Sequence, residues 1–169
     1  MKNSAKKWGI AIIIIVILAV AYYLISPIWR VVEMNEASPL TKTNKEVSVI
    51  SENDNEALPV TETNKEVSVI SEGNFLAQAH DVAGKAILIQ DQEQKVLRFE
   101  NFETINGPNL HIYLSADTEG SDYIDLGPIK ATVGNVNYQL DSAIDTDKYN
   151  KVLVWCVPFK VLFSFAELK

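Results

Sequence analysis

Cysteine occurs once in the 169 residues, and histidine and methionine twice each. One cysteine cannot close an internal disulfide, so a packed core and not a crosslink has to carry the fold. There is no Cys-x-x-Cys-His run, which excludes covalently attached haem. Gly-x-Ser-x-Gly, His-Glu-x-x-His, a phosphate loop and Cys-x-x-Cys are absent as well, so no catalytic motif supports an enzyme and hydrolase or nucleotide-dependent readings have no footing. Basic side chains are the minority, 15 against 22 acidic, and the net charge is −7. Such an exterior repels phosphates and argues against a nucleic-acid partner.

The charge is unevenly distributed. Residues 1–30 carry Lys2, Lys6, Lys7 and Arg30 and no acid; residues 31–72 carry 3 basic and 9 acidic residues; residues 73–169 carry 8 basic and 13 acidic. Residues 9–25 are apolar apart from Tyr22 and Tyr23, and with Trp8 and Trp29 at the ends the run reaches the ~20 residues of a membrane-spanning helix. Three lysines precede it and only Arg30 closes it, which predicts a single pass with the N-terminus in the cytoplasm and the remainder outside, at the cell membrane. Ala19-Val20-Ala21 offers the alternative of a cleaved signal peptide, which also exports the domain.

Residues 35–52 and 55–72 are copies at a spacing of 20, identical at 15 of 18 positions; Ser38, Leu40 and Lys42 are replaced by Leu58, Val60 and Glu62. Two polar, Pro-containing copies cannot build a solenoid core, so residues 31–72 read as a flexible acidic linker. Within it, the alternation of Val67-Ser68-Val69-Ile70 allows a first strand, with Val47-Ser48-Val49-Ile50 as its spare.

From residue 73 the pattern is of short strands, over 75–79, 83–90, 96–99, 110–114, 124–126, 129–133 and 137–140, with turns at Asn106-Gly107-Pro108-Asn109, Gly127-Pro128 and Gly134-Asn135. Only 142–149 allows a short helical turn. The chain closes on a strand pair: Val152, Val154 and Cys156 alternate with Leu153, Trp155 and Val157, so both faces are apolar. Pro158-Phe159 turns the corner, and Val161, Phe163 and Phe165 line a face of the last strand. The expected fold is all-β, an antiparallel β-sandwich over 73–169 preceded by a linker and one N-terminal transmembrane helix.

The ordered motifs Gly73-Asn74-Phe75, His80 with Gly84, Val96-Leu97-Arg98-Phe99-Glu100-Asn101-Phe102, Gly107-Pro108-Asn109-Leu110-His111-Ile112-Tyr113, Leu126-Gly127-Pro128, Asn137-Tyr138 and Trp155-Cys156 resemble the DM13 domain across residues 73–169. The resemblance implies an electron-transfer or redox module whose redox cysteine falls on Cys156, and Ser164 departs from it where glycine is expected.

The residues themselves leave two readings open. A single thiol does redox work through sulfenate chemistry, a mixed disulfide, or a bound metal or haem. Otherwise it is a small core hydrophobe in a non-catalytic binding or structural module. Cys156 with His80 and His111 matches the ligand types of a copper site, but no histidine or methionine follows Cys156, so the copper pattern fits poorly. His80 and His111 could instead be axial ligands of a noncovalent haem. His80, in a loop beside Asp81, is the better ligand candidate, while His111 alternates with Leu110 and Ile112 and is expected half exposed. Asp141, Asp145 and Asp147 lack the turn glycine and closing glutamate of a calcium loop and read as an acidic surface loop. The expected partners are the membrane and another membrane or surface redox protein.

Overall fold

A computed structural model describes residues 2–25, 30–40 and 67–169. The helix α1 (Lys2–Ile25) forms over the apolar run. Among the described residues no helix is long and apolar enough to cross a membrane, so the expected transmembrane segment has no support here. The interior of the duplicated linker, 41–66, lies outside the described residues.

The rest is mostly β: β1 (Glu33–Asn35), β2 (Val67–Ala77), β3 (Val82–Asp91), β4 (Gln94–Thr104), β5 (Leu110–Ser115), β6 (Tyr123–Pro128), β7 (Val133–Leu140), β8 (Lys151–Cys156) and β9 (Val161–Glu167). They form one sheet in the order β1-β7-β4-β3-β2-β9-β8-β5-β6. Every pairing is antiparallel except β1 with β7, which is parallel. The expected antiparallel sandwich is thus a curled, mixed sheet. The curl comes from β2, which pairs with β3 from Val67 to Asn74 and with β9 from Phe75 to Ala77. Gly73 lies at the change of partner, where any Cβ would overlap the Glu167 backbone.

Folding the sheet over on itself encloses one core. Phe75, Leu88, Phe99 and Phe102 come from one half, and Leu110, Ile112, Val152, Val154 and Leu168 from the other. Phe75 packs edge-on to Phe99 at 4.9 Å between centroids, and Phe102 closes a triangle with them, 4.9 Å from Phe75 and 5.1 Å from Phe99. The strand Ala86-Ile87-Leu88-Ile89 is buried on both faces. Its second face, Ile87 and Ile89 with Val96, is covered by Leu40 and Val67, so residues from the acidic stretch complete the packing.

Two local expectations change. Residues 129–132 form a loop, and Gly134 is inside β7 and not in a turn. Gly134 adopts φ +117°, and a Cβ there would overlap the Met34 carbonyl, so glycine is what lets β1 lie against β7. Residues 142–149 are turns without a helix. In β9, Val161 is exposed and Phe165 half-buried, whereas Phe163, Ser164 and Ala166 are buried. The cause is a bulge: Val154 pairs with Ser164 and Trp155 with Leu162, which leaves Phe163 unpaired and re-aimed.

Candidate functional site

Three connections meet at one end of the core: residues 78–81 between β2 and β3, 105–109 between β4 and β5, and 157–160 between β8 and β9. They enclose a cavity of about 290 Å³ with an almost wholly apolar wall, which includes His80, Gly107, Pro108, Cys156 and Phe163. Each wall has a local cause. The bulged Phe163 offers its carbonyl to three consecutive amides, with Gln78, Ala79 and His80 N–H donating at 3.1, 3.0 and 3.2 Å. These bonds fix the β2–β3 loop and hold the His80 ring 4.1 Å from the Phe163 ring. Gly107 is required opposite, because a Cβ would come within 2.8 Å of the Phe163 ring.

Cys156 is the last residue of β8, paired with Leu110 and Val161, and is fully buried. Its thiol donates to the Pro108 carbonyl at 3.4 Å. Burial pushes the thiol pKa above its ordinary value, opposed only in part by the Phe159 backbone N–H. At neutral pH the group is therefore a thiol and not a poised thiolate.

His80 is brought to Cys156's cavity and His111 is not. In the β5–β8 ladder Leu110 pairs with Cys156 and His111 with Trp155, and paired residues share a face. His111 consequently lies on the outer face, where its Nδ1 is 2.9 Å from both oxygens of Asp125. Asp125 also accepts the Gly127 N–H at 2.8 Å. The structure therefore places Cys156 and His80 on the wall of one cavity and His111 on the outer face, so it does not bring the Cys156, His80 and His111 set of a copper site together. Among the described residues no group of three or more His, Cys, Asp or Glu side chains could hold a metal, and the Asp141–Asp145–Asp147 loop is no exception. Asp141 and Asp145 instead accept backbone N–H groups of their own turns.

The outer face carries an aromatic group that the sequence did not single out. Tyr113 stacks on Tyr123 at 4.1 Å and lies 6.0 Å from Trp155, whose indole is covered by Gly120. Burial, with the neighbouring Tyr123 and Asp125, raises the Tyr113 phenol to about 12. Phe163 and Ile105 of the cavity were also missed as site residues. The readable signal was the Pro158-Phe159 corner directly after Cys156, whereas the bulge at Phe163 has no local sequence mark.

Residues 74–168, more than half of the chain, match the family model described as Electron transfer DM13. No curated protein and no solved structure matches.

Proposed function

The chain belongs to the DM13 electron-transfer family, and from that premise we propose that its redox chemistry is centred on Cys156, with His80 as the second participant. The observation that supports this is the shared apolar cavity, in which the only thiol of the chain and one of its two imidazoles are, among the described residues, the only titratable side chains of the wall. Because burial holds the sulfur protonated, one-electron oxidation has to remove a proton with the electron. The S–H bond breaks, the electron passes to an oxidised one-electron redox protein, and the proton leaves its bond to the Pro108 carbonyl and crosses the cavity, by way of water, to the His80 imidazole. Reduction returns both and restores the thiol. Ile105, Phe159 and Val161 are exposed on the cavity wall and give such a partner an apolar contact.

The partner is a membrane or surface redox protein, and the chain itself is held at the membrane by the apolar N-terminal run with its domain outside the cytoplasm. The lysines ahead of that run and the exposed isoleucines of α1 favour this placement. Tethering raises the local concentration of a partner in the same membrane.

The test is a mediator-assisted redox titration of the detergent-solubilised full chain beside Cys156→Ser. A one-electron wave lost in the variant is expected. A wave that survives the substitution rejects Cys156 as the centre. Absence of any wave, with Cys156 unreactive to thiol reagents in the native state, favours the second reading of a surface binding module, which the raised thiol pKa and full burial support.

A further inference from the structure

The duplicated stretch is used by halves. The first copy supplies its beginning: Asn35-Glu36-Ala37-Ser38-Pro39-Leu40 lies along β7 and over β4. The second copy supplies its end: Val67-Ser68-Val69-Ile70-Ser71-Glu72 is the first half of β2. Nothing in the proposed redox chemistry uses this division.

The groove that receives the first copy is specific. Glu36 N–H donates to the Asn135 carbonyl at 2.8 Å, and Asn135 Nδ2 donates to Asn35 Oδ1 at 2.8 Å. The Glu36 carboxylate accepts the Asn137 N–H and lies 3.5 Å from Lys130 Nζ. Arg98, itself buried, donates to the Glu36 carbonyl at 3.2 Å, and Asn137 Nδ2 to the Ala37 carbonyl at 3.0 Å. Pro39 is buried and Leu40 closes the Ile87–Ile89–Val96 cluster. Upstream, Val32 is held through its backbone alone, by Thr132 and Val133.

Asn35, Glu36, Ala37 and Pro39 recur 20 residues later as Asn55, Glu56, Ala57 and Pro59, whereas Leu40 becomes Val60 and Ser38, whose hydroxyl accepts the Leu40 N–H at 3.3 Å, becomes Leu58. The geometry points to a strand-docking site with two internal occupants: residues 55–60 of the same chain take the place of residues 35–40 along β7. The connection permits it. Leu40 and Val67 already pack on the same three-residue cluster. A Val60 in Leu40's position would need only residues 61–66 to reach Val67, and six residues extend to about 20 Å. The shorter loop, 6 residues against 26, favours the second copy by about ninefold. The methylene lost from leucine to valine opposes it by about fourfold, and the Ser38 hydrogen bond that Leu58 cannot make by about fivefold more. The two occupants are therefore of similar strength, and the exchange lengthens the tether between α1 and the docked segment by 20 residues, from 9 to 29, which raises its root-mean-square reach from about 16 Å to about 30 Å.

The experiment uses the full chain with Cys156→Ala and two cysteine pairs, N35C with N135C and N55C with N135C, in a glutathione redox buffer. Neighbouring strands bring such residues within disulfide distance. Both pairs are expected to close within single chains, the 55–135 pair at one-tenth of the 35–135 yield or more, and E36A should raise the 55–135 yield because it weakens only the first occupant. The 35–135 pair reports that the variants fold. A 55–135 yield below one-tenth and unchanged by E36A overturns the proposal, as does a 55–135 bond found only in covalent dimers.

Discussion

Trp155 and Cys156 are neighbours in the chain and lie on opposite faces of β8, and the two faces treat polar chemistry differently. On the outer face each polar group has a partner close by: His111 has Asp125, and Tyr113 is stacked on Tyr123 beside Trp155. On the inner face, groups are held by packing and backbone, and partners are scarce. The Cys156 thiol has one backbone carbonyl, and the Ser164 hydroxyl, fully buried, has no hydrogen-bond partner among the described residues. Adjacent positions on one strand thus sit in environments where the same change has different costs. An exposed pair is screened by water, and a buried group is not.

The largest test of that contrast is Phe163→Ala. It removes a buried ring from the cavity wall and should cost about 3–5 kcal/mol in denaturant unfolding, and it should also speed labelling of Cys156 by opening its cover. A cost below that of an outer-face substitution would break the comparison.

Alkaline unfolding comes next. Tyr138 is buried in the core, and desolvation raises its phenol to about 12, from an ordinary value of 10. The folded state therefore keeps this proton after the unfolded chain has released it. Stability is full below pH 10 and falls as pH rises toward 12, by about 2–3 kcal/mol in all. Tyr138→Phe should flatten that part of a stability–pH curve. An unchanged slope in the variant would assign the loss elsewhere, with Tyr113 the first candidate.

Ser164→Ala sharpens the comparison in the opposite direction. Removing an unpaired buried hydroxyl should stabilise the domain by about 1–2 kcal/mol, read as a raised thermal midpoint. A destabilised variant would mean that the hydroxyl is satisfied in solution. Asp125→Asn should have the smallest effect. Its pair with His111 is partly exposed, so a loss of about 0.2–1 kcal/mol is expected, diminishing at high salt. A loss above 2 kcal/mol would place the outer face among the main supports of the fold.

Much of this was legible in the chain. Short apolar runs between turn residues required a β fold, because only strands bury such segments with their backbone groups paired. Val152 to Val157, apolar at every position, required a strand covered on both sides, and Pro158 required it to end there. The lone cysteine excluded a disulfide framework by count alone.

What the chain alone left open was decided by contacts between distant residues. The alternation of His111 with Leu110 and Ile112 already made His80 the better candidate, but only the β5–β8 register and the loop anchored on the Phe163 carbonyl brought His80 to the cavity of Cys156 and kept His111 from it. Gly134 read as a turn until β1 paired with β7 and the glycine proved to be the space for Met34. The acidic stretch read as linker because its own composition cannot pay for order, yet residues 33–40 are ordered by a groove built from β3, β4 and β7. Composition and period are local properties and fix which segments become strands. Register, bulges and edge pairing depend on partners far along the sequence, so the tertiary structure alone could choose them.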